Sequence, residues 1–211
     1  MSIPCVLHEQ NRLMGITNRI AARRAARVFL SFPETVGEFP RANAVVVGNP
    51  VRAAFVSPPS KTEARAQFGL DPEAPAILIT GGSQGARSIN DAAAKLVRMF
   101  SPGEVQIVWM TGAGDVARAR ESAEGAPVPV QVHAFIENMA AAFAAADLVV
   151  TRSGASTIAE LAVMHKPSIL VPYPHATDNH QEHNARVFVD AEATLLLHDA
   201  ELTPDALLGA I

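Results

Sequence analysis

Apolar residues in this chain fall in short runs, separated by stretches whose apolar positions recur at helical spacing. Cys5-Val6-Leu7-His8, Val28-Phe29-Leu30 and Val45-Val46-Val47 each read as a short strand. Beyond them the runs near Ile77 and over 105–110, 128–132, 148–150, 168–171 and 194–197 predict further strands. Helical patterns occupy 17–25, 62–68, 115–124, 139–146, 157–164 and 181–191, and a last helix begins at Pro204. One more helix places Ile89, Ala93, Leu96, Val97 and Phe100 on a single face. Strand and helix alternating through short loops predict an α/β fold with a parallel, doubly wound sheet. Ligands of such sheets sit at the carboxyl ends of the strands. Ser57-Pro58-Pro59-Ser60 is the best linker, since its prolines break both kinds of regular structure.

Composition narrows the class without naming a function. The 211 residues are 49% hydrophobic and 18% charged, enough for a real core. A net charge of −4 gives no electrostatic reason to expect nucleic acid as a partner. The single cysteine, Cys5, allows no intrachain disulfide, which fits a reducing cytoplasm. No apolar run reaches the length of a membrane span. The richest stretch, 139–150, carries Asp147 and reads as a buried helix followed by a strand. The start, Met1-Ser2-Ile3-Pro4-Cys5-Val6-Leu7, lacks the basic segment and long apolar core of a signal peptide and reads as a strand already inside a domain.

Two glycine turns carry the sharpest chemical signal. Ile77-Leu78-Ile79-Thr80 runs into Gly81-Gly82-Ser83-Gln84-Gly85-Ala86-Arg87, and Leu148-Val149-Val150 runs into Thr151-Arg152-Ser153-Gly154-Ala155-Ser156-Thr157. In each, a strand ends, the chain turns on glycine and a helix opens. A helix start offers unpaired N–H groups and the positive end of a dipole. Two such starts suggest a phosphate or diphosphate site, to which the Ser83 hydroxyl could add a donor. A tight turn without a ligand reads equally well from the first motif alone. Neither G-x-G-x-x-G nor a P-loop lysine is present, which disfavours NAD and ATP.

The remaining polar residues are less specific. Glu160, early in the helix after the second turn, could accept two hydrogen bonds from a sugar diol, or act as a capping-box or dipole partner. Arg52, after Gly48-Asn49-Pro50-Val51, could clamp a phosphate or stand as a solvated surface arginine. His180-Gln181-Glu182-His183 lacks the H-E-x-x-H spacing, so no metal site is expected there. Asp178 or Asn179 is expected to cap that helix, with Gln181 at the edge of the site. No D-x-D pair is present to hold a nucleotide-bound Mg²⁺, so a departing diphosphate would rely on helix starts and an arginine. A hydrolase built on Ser83 and His133 is set aside on the expectation that no G-x-S-x-G nucleophile elbow is present.

In combination these segments resemble one family. His8-Glu9-Gln10-Asn11, Gly15-Ile16-Thr17-Asn18, Val47-Gly48-Asn49-Pro50-Val51-Arg52, Gly81 to Arg87, Arg152-Ser153-Gly154-Ala155, and Asp178-Asn179-His180-Gln181 with Asn184-Ala185 are similar, in order, to motifs of the MurG family. Those N-acetylglucosaminyltransferases of peptidoglycan synthesis convert lipid I to lipid II. The resemblance implies a GT-B architecture, two Rossmann-like domains facing a cleft. On that basis 1–55 is the end of an N-terminal acceptor domain plus a hinge, and 56–211 is a C-terminal domain for UDP-N-acetylglucosamine.

Carried over by motif, Ser83 and Gln84 lie at the donor diphosphate, and Phe135-Ile136 borders the uracil. Ser156, Thr157, Ile158, Ala159, Glu160 and Leu161 line the nucleotide, with Glu160 on the ribose. Gln181 reaches the sugar hydroxyls, and Asn11 and Arg52 contribute from the inter-domain side. The resemblance implies no cofactor, an undecaprenyl-linked muramyl-pentapeptide acceptor, and peripheral association with the cytoplasmic face of the inner membrane.

The family's early loop G-G-T-G-G-H is not found here. The chain is therefore expected to be a fragment, inactive alone, with the general base outside it. The rival readings are another GT-B-like UDP-sugar enzyme, such as a UDP-N-acetylglucosamine epimerase, and a non-catalytic remnant.

Overall fold

A computed structural model describes residues 3–211; the reading of Met1-Ser2 as part of a strand lies outside the described residues. The chain builds two parallel sheets. The first has three strands, β1 (Val6–Glu9), β2 (Arg27–Leu30) and β3 (Ala44–Val46), in that order, with helix α1 (Ile16–Ala22) between the first two. Helix α1 stops before the predicted residue 25, and Arg23 and Arg24 lie in a turn. A small core of Met14, Ala22, Ala25, Val28 and Leu30 lies under this sheet.

The second sheet contains β4 (Ala76–Thr80), β5 (Gln106–Met110), β6 (Val130–His133), β7 (Leu148–Thr151), β8 (Ser168–Leu170) and β9 (Thr194–Leu196), in the order β6-β5-β4-β7-β8-β9. All neighbours are parallel. The intervening helices are α4 (Arg87–Leu96), α5 (Val116–Ala123), α6 (Met139–Ala145), α7 (Ala155–Val163) and α8 (His180–Asp190), and α9 (Pro204–Ala210) ends the chain. Every residue of β4 and β5 is buried, as expected where helices cover both faces of a parallel sheet. One core holds Leu78, Val108, Phe143 and Leu170; the other holds Ile79, Ile107, Trp109 and Ile169 on the opposite face. Alternation of side chains along each strand makes this division. The predicted apolar face Ile89, Ala93, Leu96, Val97 and Phe100 is buried in the second core, although the helix itself ends at Leu96.

The connection between the sheets differs from the expected linker. A short helix α2 (Ala53–Val56) forms where none was predicted, and its Phe55 packs edge-on against Phe143 with ring centroids 5.4 Å apart. Phe55 therefore belongs to the larger core, and the chain has crossed over before residue 56. Ser60, at the end of the proline segment, caps helix α3 (Lys61–Gln67). Its Oγ accepts from the Glu63 N–H, and the Glu63 carboxylate accepts from the Ser60 N–H at 2.9 Å, a complete capping box. Among the described residues no helix is long and apolar enough to cross a membrane.

Candidate functional site

The strand order reverses direction between β4 and β7, which pair side by side. Their carboxyl ends therefore lie next to each other at the topological switch point, where doubly wound sheets hold ligands. The two glycine turns leave from these two ends and open α4 and α7. The first turn needs its glycines. Gly85 has φ +77°, and a Cβ there would sit 2.1 Å from the Thr111 carbonyl oxygen. A Cβ on Gly81 would meet the Ala86 nitrogen at 2.2 Å. Gly82 has φ +85° but open space around it, so its requirement is conformational. The Gly82 N–H bonds the Thr80 hydroxyl and the Gly85 N–H bonds the Gly82 carbonyl, which sets the loop between strand and helix.

A cleft in two lobes lies over this edge. The larger, about 670 Å³, is lined by the 81–88 segment with Arg152, Gly154, Thr157, the Tyr173-Pro174-His175 loop, Gln181 and Asp199. The smaller, about 200 Å³, is lined by Arg52, Met110, Phe135, Ile136, Met139, Phe143, Thr157 and Glu160. Gly82, Ser83 and Thr157 border both lobes, so the join lies between the two helix starts. The smaller lobe is an apolar slot with one acid and one base at its mouth. The larger is the more polar and more open of the two.

Glu160 occupies neither of the roles set against sugar binding. It lies beyond the first turn of α7, whose cap residue Gly154 makes no side-chain cap, so there is no capping box. Its carboxylate instead takes two hydrogen bonds from Arg52, which is thereby more than a solvated arginine. Burial pushes the Glu160 carboxyl above its ordinary 4.5, against the opposing hydrogen bond and charge of Arg52. An acid desolvated in this way gains from any donor that reaches it.

Helix geometry sorts the six residues 156–161. Thr157 and Glu160, three apart, face the cleft together. Ile158 and Leu161 are buried in the core, Ser156 is exposed away from both lobes, and Ala159 faces the three-stranded sheet. No helix presents six successive side chains to one ligand. Ser83, Gln84 and Ile136 line the cleft. Gln181 does too: its Oε1 accepts from the Tyr173 N–H at 3.0 Å, which leaves its amide NH₂ for a ligand. Asn11 lies outside the cleft lining. Its Oδ1 accepts from buried Asn184 at 2.9 Å, and Asn184 in turn accepts from the Arg12 N–H, so this pair ties the first sheet to α8.

Other expectations need correction. Asn179 takes the cap position of α8 but in the left-handed conformation, φ +53°, without a side-chain cap; its amide donates to Glu182 at 2.6 Å. Gly81-Gly82-Ser83-Gln84-Gly85 does satisfy the G-x-S-x-G spacing of a nucleophile elbow. His133 nevertheless ends β6, two strands from β4, and lines neither lobe, so it cannot serve Ser83.

The sequence reading missed the network that frames the larger lobe. Arg152 donates to Asp199 at 2.5 Å, to Ser88 at 2.9 Å and to the carbonyls of Val171 and Pro172. It thus joins the ends of β7 and β8 to the start of α4. Asp199 is 47 residues from Arg152 and outside any motif, so only the fold could pair them.

A Rossmann-like parallel sheet with a two-lobed cleft at its switch point, joined to a second small sheet, is the arrangement of a GT-B glycosyltransferase. Residues 76–211 match the glycosyltransferase family 28 C-terminal domain, and the chain belongs to this family. It is 42% identical over 213 residues to the UDP-N-acetylglucosamine--N-acetylmuramyl-(pentapeptide) pyrophosphoryl-undecaprenol N-acetylglucosamine transferase of Nitratidesulfovibrio vulgaris strain DP4, over 99% of this chain and 57% of that protein. The crystal structure of Acinetobacter baumannii MurG superposes with a TM-score of 0.78 at 33% identity, over 97% of this chain and 56% of that one. The calicheamicin glycosyltransferase CalG4 shares the fold at 21% identity, with a TM-score of 0.59 over 88% of this chain and 43% of that one. The chain thus spans little more than half the length of the curated relatives it matches.

Proposed function

We propose that this chain is the donor-binding half of an enzyme that transfers N-acetylglucosamine from UDP-N-acetylglucosamine to lipid I. The observation that carries this reading is the placement of Glu160 and Ser83. The acid stands at the mouth of an apolar slot sized for a nucleoside, and the serine stands at the join with a polar lobe sized for a sugar. A ligand spanning them has its nucleoside against Ile136, its ribose at Glu160, its diphosphate at the two helix starts and its sugar at Gln181. The acceptor is the undecaprenyl-linked muramyl-pentapeptide. Its 4-hydroxyl attacks the anomeric carbon in a single inverting displacement, and UDP leaves. This half positions the donor and stabilises the leaving diphosphate through preorganised donors. The general base comes from elsewhere in the enzyme, which acts as a peripheral protein at the cytoplasmic face of the membrane. Residues up to the α2 crossover belong to the acceptor side.

Titration calorimetry of the chain with UDP and UDP-N-acetylglucosamine in EDTA tests the reading. Binding of both is expected, because the site offers helix starts and arginine to hold the diphosphate. Binding of neither overturns it, and turnover of the donor without any acceptor favours an epimerase instead.

A further inference from the structure

Arg87, the first residue of α4, lines the larger lobe of the cleft, and its present contacts are dispensable. The other two cleft arginines have other partners: Arg52 pairs with Glu160 at the smaller lobe, and Arg152 is held by Asp199, Ser88 and two carbonyls. Arg87 stands 3.3 Å from Asp91 and 3.2 Å from Asp115, with 70% of its side chain exposed. Both of those acids have a better partner. Arg118 bonds Asp91 and also donates to Asp115 at 3.0 Å, and Asn90 adds a 2.8 Å donor to Asp115. An exposed, solvent-screened pair contributes little to the fold. The guanidinium fork is suited to gripping a phosphate bidentately, and such charge-assisted pairs are stronger than neutral ones.

Position selects which phosphate. Glu160 lines only the smaller lobe, Ser83 lines both, and Arg87 lines only the larger. A nucleotide with its ribose at Glu160 crosses the join at Ser83, so its second phosphate enters the lobe that holds Arg87. We propose that Arg87 releases Asp91 and Asp115 and grips the distal phosphate of a bound nucleoside diphosphate. The identity of the nucleotide rests on the donor-site reading above; the anion site rests on the arrangement of Arg87 itself.

The test titrates three probes, inorganic diphosphate, UMP and UDP, into the chain and its Arg87→Gln and Arg87→Lys variants. Wild type is expected to prefer UDP to UMP, and Arg87→Gln is expected to lose tenfold or more in UDP affinity while UMP affinity changes less than twofold. Arg87→Lys, which keeps the charge but not the fork, should fall between them. A melting temperature shared by all three proteins shows that the fold is retained. UDP binding unchanged in Arg87→Gln overturns the proposal and leaves the donor site standing. Diphosphate binding that depends on Arg87, with no preference for UDP, supports the anion site and overturns the nucleotide reading. No binding of any probe overturns both.

Discussion

Arg52 reaches Glu160 with both Nε, at 3.1 Å, and Nη2, at 2.9 Å, and both donate to one oxygen, Oε1. The two residues are 108 positions apart, one on the crossover between the sheets and the other on α7. Glu160 is the buried member, with 12% of its side chain exposed against 58% for Arg52. Among the described residues its Oε2 accepts no hydrogen bond. The carboxylate is therefore oriented by one arginine and still has an oxygen to offer a ligand. A diol arriving in the smaller lobe can use Oε2 at once, and can take Oε1 if the exposed Arg52 swings away.

Glu160→Ala is expected to lower UDP affinity about tenfold to a hundredfold, the worth of roughly 1.5–3 kcal/mol for hydrogen bonds to a charged acceptor. The fold should lose less than about 1 kcal/mol, because the Arg52 partner is mostly solvated. Titrating 2′-deoxy-UDP alongside UDP isolates the diol. Wild type should discriminate between them and Glu160→Ala should not; equal discrimination in both proteins would place the carboxylate away from the ribose.

Acidification should weaken UDP binding sooner than an ordinary glutamate would. Burial holds the Glu160 proton more tightly in the folded chain than in the unfolded one, despite Arg52. With the folded value raised, this group favours folding below 4.5 and loses that contribution as pH rises through the folded value. The ionised form accepts from both ribose hydroxyls with charge assistance, whereas the protonated form turns one oxygen into a donor, so affinity falls as pH drops through the raised value. The ratio of wild-type to Glu160→Gln affinity, taken at each pH, cancels titration of the nucleotide itself. Arg52→Ala removes the opposing charge and should move the acid limb to higher pH.

Gly82 and Gly85 should respond differently to alanine. Both have positive φ, +85° and +77°, so each change costs about 1–2 kcal/mol of backbone strain. Only at Gly85 does the new Cβ collide with backbone, the Thr111 carbonyl, which forces the loop to move. Urea denaturation should show the larger loss for Gly85→Ala. Calorimetry should show its UDP binding abolished, whereas Gly82→Ala keeps measurable binding. Similar behaviour of the two variants would mean that the loop is not held by its contact with Thr111.

Much of this architecture is written in local pattern. Apolar runs such as Ala76–Thr80 and Leu148–Thr151 are too short for helices and too apolar for surface strands, so they mark buried parallel strands. Glycine within three residues of both strand ends marks the switch-point turns, and at the first of them little else tolerates the close approaches at Gly81 and Gly85. The errors fall where local pattern carries no information. Helix α2 is four residues long and exists because Phe55 is drawn into the core against Phe143. Ser60 looked like part of a linker because a cap and a break use the same residue types.

By itself the sequence determined the sheet class and the position of both glycine turns, which follow from side-chain periodicity and backbone freedom acting over a few residues. The grouping of Ser83, Gln84, Glu160 and Gln181 came from the resemblance to a family, and the fold brings all four to the lining of one cleft. Tertiary structure alone decided which members of 156–161 face the cleft, since that depends on how α7 is rotated against its neighbours. It decided that Asn11 is spent on Asn184, that Arg152 is spent on Asp199, and that Arg52 meets Glu160. Ion pairs and buried hydrogen bonds are short-ranged and indifferent to separation along the chain, so they form only where packing has already brought their partners together.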